Sequence, residues 1–193
     1  MQYKVPRIPT FTGLEGIDLR VQQIQIKLAS ESWLQYSFGL CDRVLEQKGE
    51  EIESIPVCHI DDHSDPLDMR PFLDDAHNSY CFWDMVGETT DYGDNLGARR
   101  FPALTYDVAC IFVVNLASIN VDSKIARSTV RQDILTFFNQ TIRFNGIFQM
   151  TNIEERDIEL IFDGYDIYDP QLILRDSVGA FRIDGTITFK QDC

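Results

Sequence analysis

Positive charge is what this sequence has least of. Seventeen Lys and Arg stand against 31 Asp and Glu, for a formal net charge of −14 and an isoelectric point near 4.5. No cationic cluster is larger than the pair Arg99 and Arg100. A protein that grips DNA needs a basic face to neutralise phosphates, so the composition argues against a DNA-reading or phosphate-gripping role. Standing beside DNA without holding it remains compatible, because like charge repels a polyanion. Long apolar runs are missing too: nothing approaches 18 uninterrupted apolar residues, and the opening "MQYKVPRIPTFTG" lacks the apolar segment of a signal peptide. The chain is therefore expected to be soluble and cytoplasmic at synthesis, with no membrane partner. No CxxC pair occurs among Cys41, Cys58, Cys81, Cys110 and Cys193. Their odd number and apolar settings predict free thiols, acting as small buried hydrophobes in a reducing compartment. Low-complexity segments and internal repeats are likewise lacking.

What is present suits one domain of 193 residues. Residues 1–16, with Pro6, Pro9 and a Thr-Gly turn, read as an extended N-terminal arm, and residues 17–193 as a single α+β domain. Ile17, Val21, Ile24 and Leu28 recur at helical spacing and predict an amphipathic helix over 17–33. Two strand-like runs, about 37–47 and 51–60, flank Lys48-Gly49 and predict a long hairpin. Residues 61–77, with Pro66, Pro71 and many aspartates, read as an acidic surface loop, and "SYCFWDMV" as a short strand. Residues 87–101 carry three glycines and read as an excursion from the body. The nearly continuous apolar run Val108 to Leu116 predicts a central strand buried on both faces. It feeds a helix over Ile125 to Ile142, whose stripe is Ile125, Val130, Ile134, Phe137, Phe138 and Ile142. Strand-like pieces follow at 158–162 and 167–168. In "FRIDGTITFK", Phe181, Ile183, Gly185, Ile187 and Phe189 alternate with a wet face of Arg182, Asp184, Thr186, Thr188 and Lys190. The sum is an α+β fold, a mostly antiparallel sheet covered by two helices, with an extended arm and a long loop excursion.

The chemistry-bearing stretch is "CHIDDHSDPLD" at residues 58–68. His59, Asp61, His63 and Asp65 are candidate ligands, since imidazole and carboxylate together suit Zn, Mn or non-haem Fe. Pro56 and Pro66 break the backbone that would align them, so the expectation is a solvated acidic turn with no metal or cofactor. Aspartate-rich loops also chelate Ca²⁺, but the spacing and closing glutamate of an EF-hand are missing. A Cys81 and His77 dyad is the only nucleophilic candidate, and it stands outside any hydrolase signature. GxSxG, GxxxxGK[ST] and GxGxxG are all absent. Trp33, Phe38, Phe82 and Trp83 read as core.

In order, "WLQYSFGLCDRV", a hairpin ending in "IPVCHI", the acidic loop, "SYCFWD", "YDVACIFVVNL", "ARSTVRQDILTFF" and "GAFRIDGTITFK" resemble structural proteins of crAss-like tailed bacteriophages. In architecture the chain is similar to the tail-terminator and head–tail joining family of ring-forming subunits. The resemblance spans roughly Trp33 to Lys190. It implies a non-enzymatic virion component, present in the host cytoplasm during assembly. It also implies a homo-oligomeric ring at the neck or tail that contacts other neck and tail proteins, with DNA passing nearby unbound. Arg99 and Arg100 are the expected inter-subunit contacts, because bidentate guanidinium groups reach carboxylates on an acidic neighbour. Two alternatives belong to other classes: a small metal-binding enzyme built on the His59 to Asp65 loop, and a protein-binding adaptor module.

Overall fold

From Val108 to Val114 no side chain is more than 1% exposed, which only a strand walled on both faces allows. In the computed structural model, which describes residues 8–49, 51–59, 67–68, 79–91, 103–140, 148–166 and 177–190, this run is the middle of a mixed sheet. The elements in chain order are α1 (Gly16–Leu28), β1 (Tyr36–Leu40), β2 (Asp42–Lys48), β3 (Glu51–Cys58), β4 (Leu67–Asp68), β5 (Tyr80–Asp91), β6 (Ala103–Asn115), α2 (Ser123–Gln140), β7 (Phe148–Glu154), α3 (Ile158–Ile161) and β8 (Val178–Lys190). The five-stranded sheet has the order β1-β5-β6-β8-β7, and β2-β3-β4 form a smaller one. Only β1 against β5 is parallel; the other pairings are antiparallel. The fold is α+β, as the pattern of apolar residues predicts.

The period of two along β6 sorts the core into two layers. Val108, Cys110, Phe112 and Val114 point to the helices, where Val21, Ile24 and Leu28 of α1 and Ala126, Val130, Ile134 and Phe138 of α2 close over them. Trp83 stands edge-on to Phe138 and Phe148 there, with ring centroids 6.3 and 5.7 Å away. Ile111 and Val113 point the other way, against Phe38, Cys58, Ile161, Phe162 and Tyr165. Both helices start where their backbone donors are satisfied or their geometry is free. Asp122 Oδ1 accepts from the amides of Lys124 and Ile125 at the start of α2. Gly16 opens α1 at φ +59°, a conformation that costs glycine little.

Several expectations need correction. The first hairpin run is two strands, not one. After Leu40 the chain leaves the main sheet at Cys41, so β1 pairs with β5 while β2 crosses the opposite face and turns back as β3 at Gly49, φ +68°. Residues 158–161 form a helix, because Asp157 Oδ1 accepts from the amides of Glu159 and Leu160 and caps a single turn. Helix α1 ends at Leu28, short of Trp33. The excursion from residue 87 begins as strand: β5 continues to Asp91 and β6 returns at Ala103, pairing residue for residue. Ile125 is 53% exposed and leaves the buried stripe of α2 to Val130, Ile134 and Phe138.

The cysteines are also not all free. Asp42 pairs with Val57, and at the adjoining positions Cys41 and Cys58 are joined as a disulfide. Cys81 and Cys110 are free and buried. The arm is held by its own chain at residues 9–11. Gln22 exchanges two hydrogen bonds with the backbone of Phe11, and the buried Gln25 amide donates to Pro9 O and Ser37 O. Within the expected acidic loop 61–77, Leu67–Asp68 form a short strand against β3; its other residues, strand 167–168 and Ile142 lie outside the described residues.

Candidate functional site

Asp84 on β5 is a buried carboxylate, its side chain 2% exposed in the layer opposite the helices. A buried carboxylate is costly unless several donors replace water. Here Arg43 on β2 donates through Nε at 3.3 Å and Nη2 at 2.6 Å, and the Tyr165 hydroxyl donates at 2.9 Å. The Arg43 guanidinium also lies 4.9 Å from the centroid of the Tyr165 ring, a cation–π contact. Burial pushes the Tyr165 phenol well above its ordinary range, and the Asp84 charge beside it adds to the shift. The hydrogen bond to Asp84 raises the Arg43 pKa further.

Local sequence explains how three distant residues meet. Arg43 shares the inward face of the β2–β3 hairpin with Pro56, its register partner. Tyr165 follows the α3 turn, whose Phe162 anchors in the same layer. Between them Gly164 takes φ +85°, a conformation that favours glycine, and a Cβ there would run into the Arg43 guanidinium and displace it. Next to it Ser54 and Asp166 bond reciprocally: the Ser54 amide donates to Asp166 Oδ2, and the Asp166 amide donates to Ser54 O. The cluster ties hairpin, α3 turn and sheet together. Both oxygens of Asp84 are already engaged by donors of the same chain, which suits a latch and leaves no lone acceptor aimed at a substrate.

A second charged pair lies on the same face. Arg182 Nε donates to Asp184 Oδ1 at 2.7 Å, and Arg182 is 5% exposed with Nη1 unpartnered. The expected wet face of β8 is therefore dry at Arg182, which pairs in register with Ile111 of β6 under the α3 side of the molecule. Toward the strand end the expectation holds: Thr188 is exposed, and its hydroxyl lies 3.0 Å from that of Thr105.

Of the residues singled out in the sequence, His59 is exposed, its Nε2 3.3 Å from Asp42 Oδ2. Asp61, His63, Asp65, His77, Arg99 and Arg100 lie outside the described residues. Among the described residues no group of three His, Cys, Asp or Glu is placed to hold a metal ion. Cys81 is fully buried in the helix-side layer, 3.4 Å from Ser37 Oγ. Beside it the Cys110 thiol is pushed up by burial first and by Cys81 second, the reverse of what activates a nucleophile. No helix of the described chain is long and apolar enough to cross a membrane.

Arg43, Asp84, Tyr165 and Arg182 are missed by sequence reasoning, because each is a single charged or polar residue inside an otherwise ordinary strand or turn. The only signal is Asp84 itself, an acid that interrupts "CFWDMV".

The fold also leaves apolar side chains of the hairpin uncovered. At the tip of the β2–β3 hairpin Leu45 is 71% and Ile52 67% exposed. Leu45 pairs with Ser54 and Gln47 with Ile52, so both apolar side chains sit on the face that carries Arg43 to Asp84 at the hairpin's base. No protein-family model matches the chain, and no curated protein matches it.

Proposed function

We propose that this chain is a non-enzymatic virion structural protein that closes into a homo-oligomeric ring at the head–tail junction or tail of a tailed phage. Such a ring joins its neighbours around a passage for DNA. The observation that carries this reading is the β2–β3 hairpin. A monomer has little reason to hold out Leu45 and Ile52 on one face of a projecting ribbon, because each forfeits roughly 1.5–3 kcal/mol of burial. Three further features support it. The sheet ends, among its described strands, in β1 on one side and β7 on the other, edges of the kind that ring subunits offer to neighbours. The β5–β6 ribbon continues to Asp91 and Ala103. The net charge of −14 suits a lumen through which DNA slides without sticking. The chain's resemblance to crAss-like phage structural proteins names the setting.

Light scattering behind size exclusion, with negative-stain imaging, tests this. A closed assembly of fixed copy number with a central opening is expected. Leu45→Glu with Ile52→Glu is expected to give a folded monomer, since both positions are solvent-facing in the isolated chain. A parent protein that stays monomeric at tens of micromolar, across low and moderate salt, overturns the reading.

A further inference from the structure

We propose that the bond between Cys41 and Cys58 is a redox-operated clamp on the β2–β3 hairpin. Oxidised, it holds the base of the hairpin shut; reduced by a dithiol, it lets the hairpin open from that end while the helix-covered body stays closed. The clamp concerns one chain and stands apart from the ring reading.

Its place in the fold carries the inference. The Cys41 amide donates to Trp83 O of β5, so this residue still belongs to the edge of the five-stranded sheet. Cys58 ends β3 and pairs with Leu67 in the smaller sheet. The bond therefore ties one sheet to the other, and the segment it closes, with the cysteines 17 positions apart, is the β2–β3 hairpin. Closing a loop of that length shifts an opening equilibrium by on the order of a hundredfold. The hairpin depends on such help, because a two-stranded ribbon is marginal by itself and β4 adds only Leu67 and Asp68. The neighbouring tie, Arg43 to Asp84, is open to water on the arginine side.

Reduction also changes the packing. A bond of about 2 Å becomes a contact of about 3.5–4 Å between two thiols. Cys41 is 7% and Cys58 0% exposed, in the layer of Phe38, Tyr80 and Phe82. A close-packed layer absorbs such growth only if something moves. Strand β5, beneath it, is paired on both sides, with β1 and β6, so the hairpin base is what gives way.

The exchange balances with a dithiol alone. Its thiolate attacks Cys41 Sγ at the rim of the layer, and Cys58 leaves as a thiolate that takes up a proton. The second sulfur of the dithiol then displaces Cys41 as the other thiol, and the reagent departs as a cyclic disulfide, having given two electrons. Cys81 and Cys110 are free and fully buried in the opposite layer, and take no part.

The test holds the full chain, dilute enough to be monomeric, in mixtures of reduced and oxidised dithiothreitol at stepped ratios. Alkylation with peptide mass reads Cys41 and Cys58, and amide exchange is followed in the same samples. The two thiols are expected to appear together, and exchange over residues 42–58 to quicken by on the order of a hundredfold as they do. Rates in α1 and α2 should hold, and re-oxidation should restore the slow pattern. Cys41→Ser with Cys58→Ser should exchange like the reduced parent and ignore dithiothreitol. The clamp is overturned if Cys41 and Cys58 alkylate freely in the fully oxidised mixture, or if reduction leaves exchange over 42–58 unchanged. It is equally overturned if reduction quickens exchange throughout, or if the double serine variant fails to fold, since the bond is then a staple of the whole chain.

Discussion

The two faces of the central sheet are held by different physics. The helix face is closed by area: Trp83, Phe112, Phe138, Phe148 and Phe181 interlock with aliphatic side chains from α1 and α2. The hairpin face has a smaller apolar layer, Phe82, Ile111 and Phe162 among it, and the elements above it are pinned by Asp84, Arg43 and Tyr165. An apolar face loses stability in proportion to the volume removed and is indifferent to pH. A charged latch is local, directional and titratable. The helix face thus acts as the scaffold, and the hairpin face positions the β2–β3 ribbon that the proposed assembly uses.

Breaking the comparison starts on the scaffold. Phe112→Ala is expected to cost about 3–5 kcal/mol, because the ring is fully buried and packs on Trp33 and Phe138. The urea midpoint of the whole chain should fall, with every region exchanging faster. A shift smaller than a third of that size places the core elsewhere.

Asp84→Asn comes next, at about 1.5–3 kcal/mol for the loss of hydrogen bonds to a charged acceptor. The lower part of that range is favoured, since the Arg43 side chain is 40% exposed and regains water when released. The distinguishing readout is where exchange quickens: in β2, β3 and residues 158–166, with α1 and α2 unchanged. Uniform acceleration means the latch is part of the global core and the two faces are not separable.

The smallest effect is expected from Tyr165→Phe, near 1 kcal/mol at neutral pH for one hydrogen bond. Its value lies in the pH dependence. The phenol is held protonated above the ordinary tyrosine value of 10.0, so in alkali the unfolded chain gives up this proton before the folded chain does. Stability from this group is fully present below pH 10 and declines as pH rises beyond it toward the folded value. The phenylalanine variant should lack that portion of the alkaline decline. Identical slopes for parent and variant above pH 10 show that the Tyr165 phenol is not buried beside Asp84 in solution.

Much of the scaffold is legible from one dimension. The run Val108 to Leu116 marks a doubly buried strand because no other element keeps seven successive side chains dry. Val21, Ile24 and Leu28 mark the inner stripe of α1, and Lys48-Gly49 marks the hairpin turn, since spacing and turn chemistry are local properties that tertiary context did not override here. The latch is illegible for the opposite reason. Arg43, Asp84 and Tyr165 are separated by 41 and 81 residues, and nothing local tells one aspartate among many acids that it will be buried. The break at Cys41, which sends β1 into one sheet and β2 across the other face, leaves no mark in a sequence that reads as one strand. Composition and periodicity by themselves thus determined an acidic α+β chain, its central strand and its covering helices. The partner of each strand, the burial of Asp84 and the exposure of Leu45 and Ile52 depend on which residues distant in sequence become neighbours, and only the tertiary structure decided them.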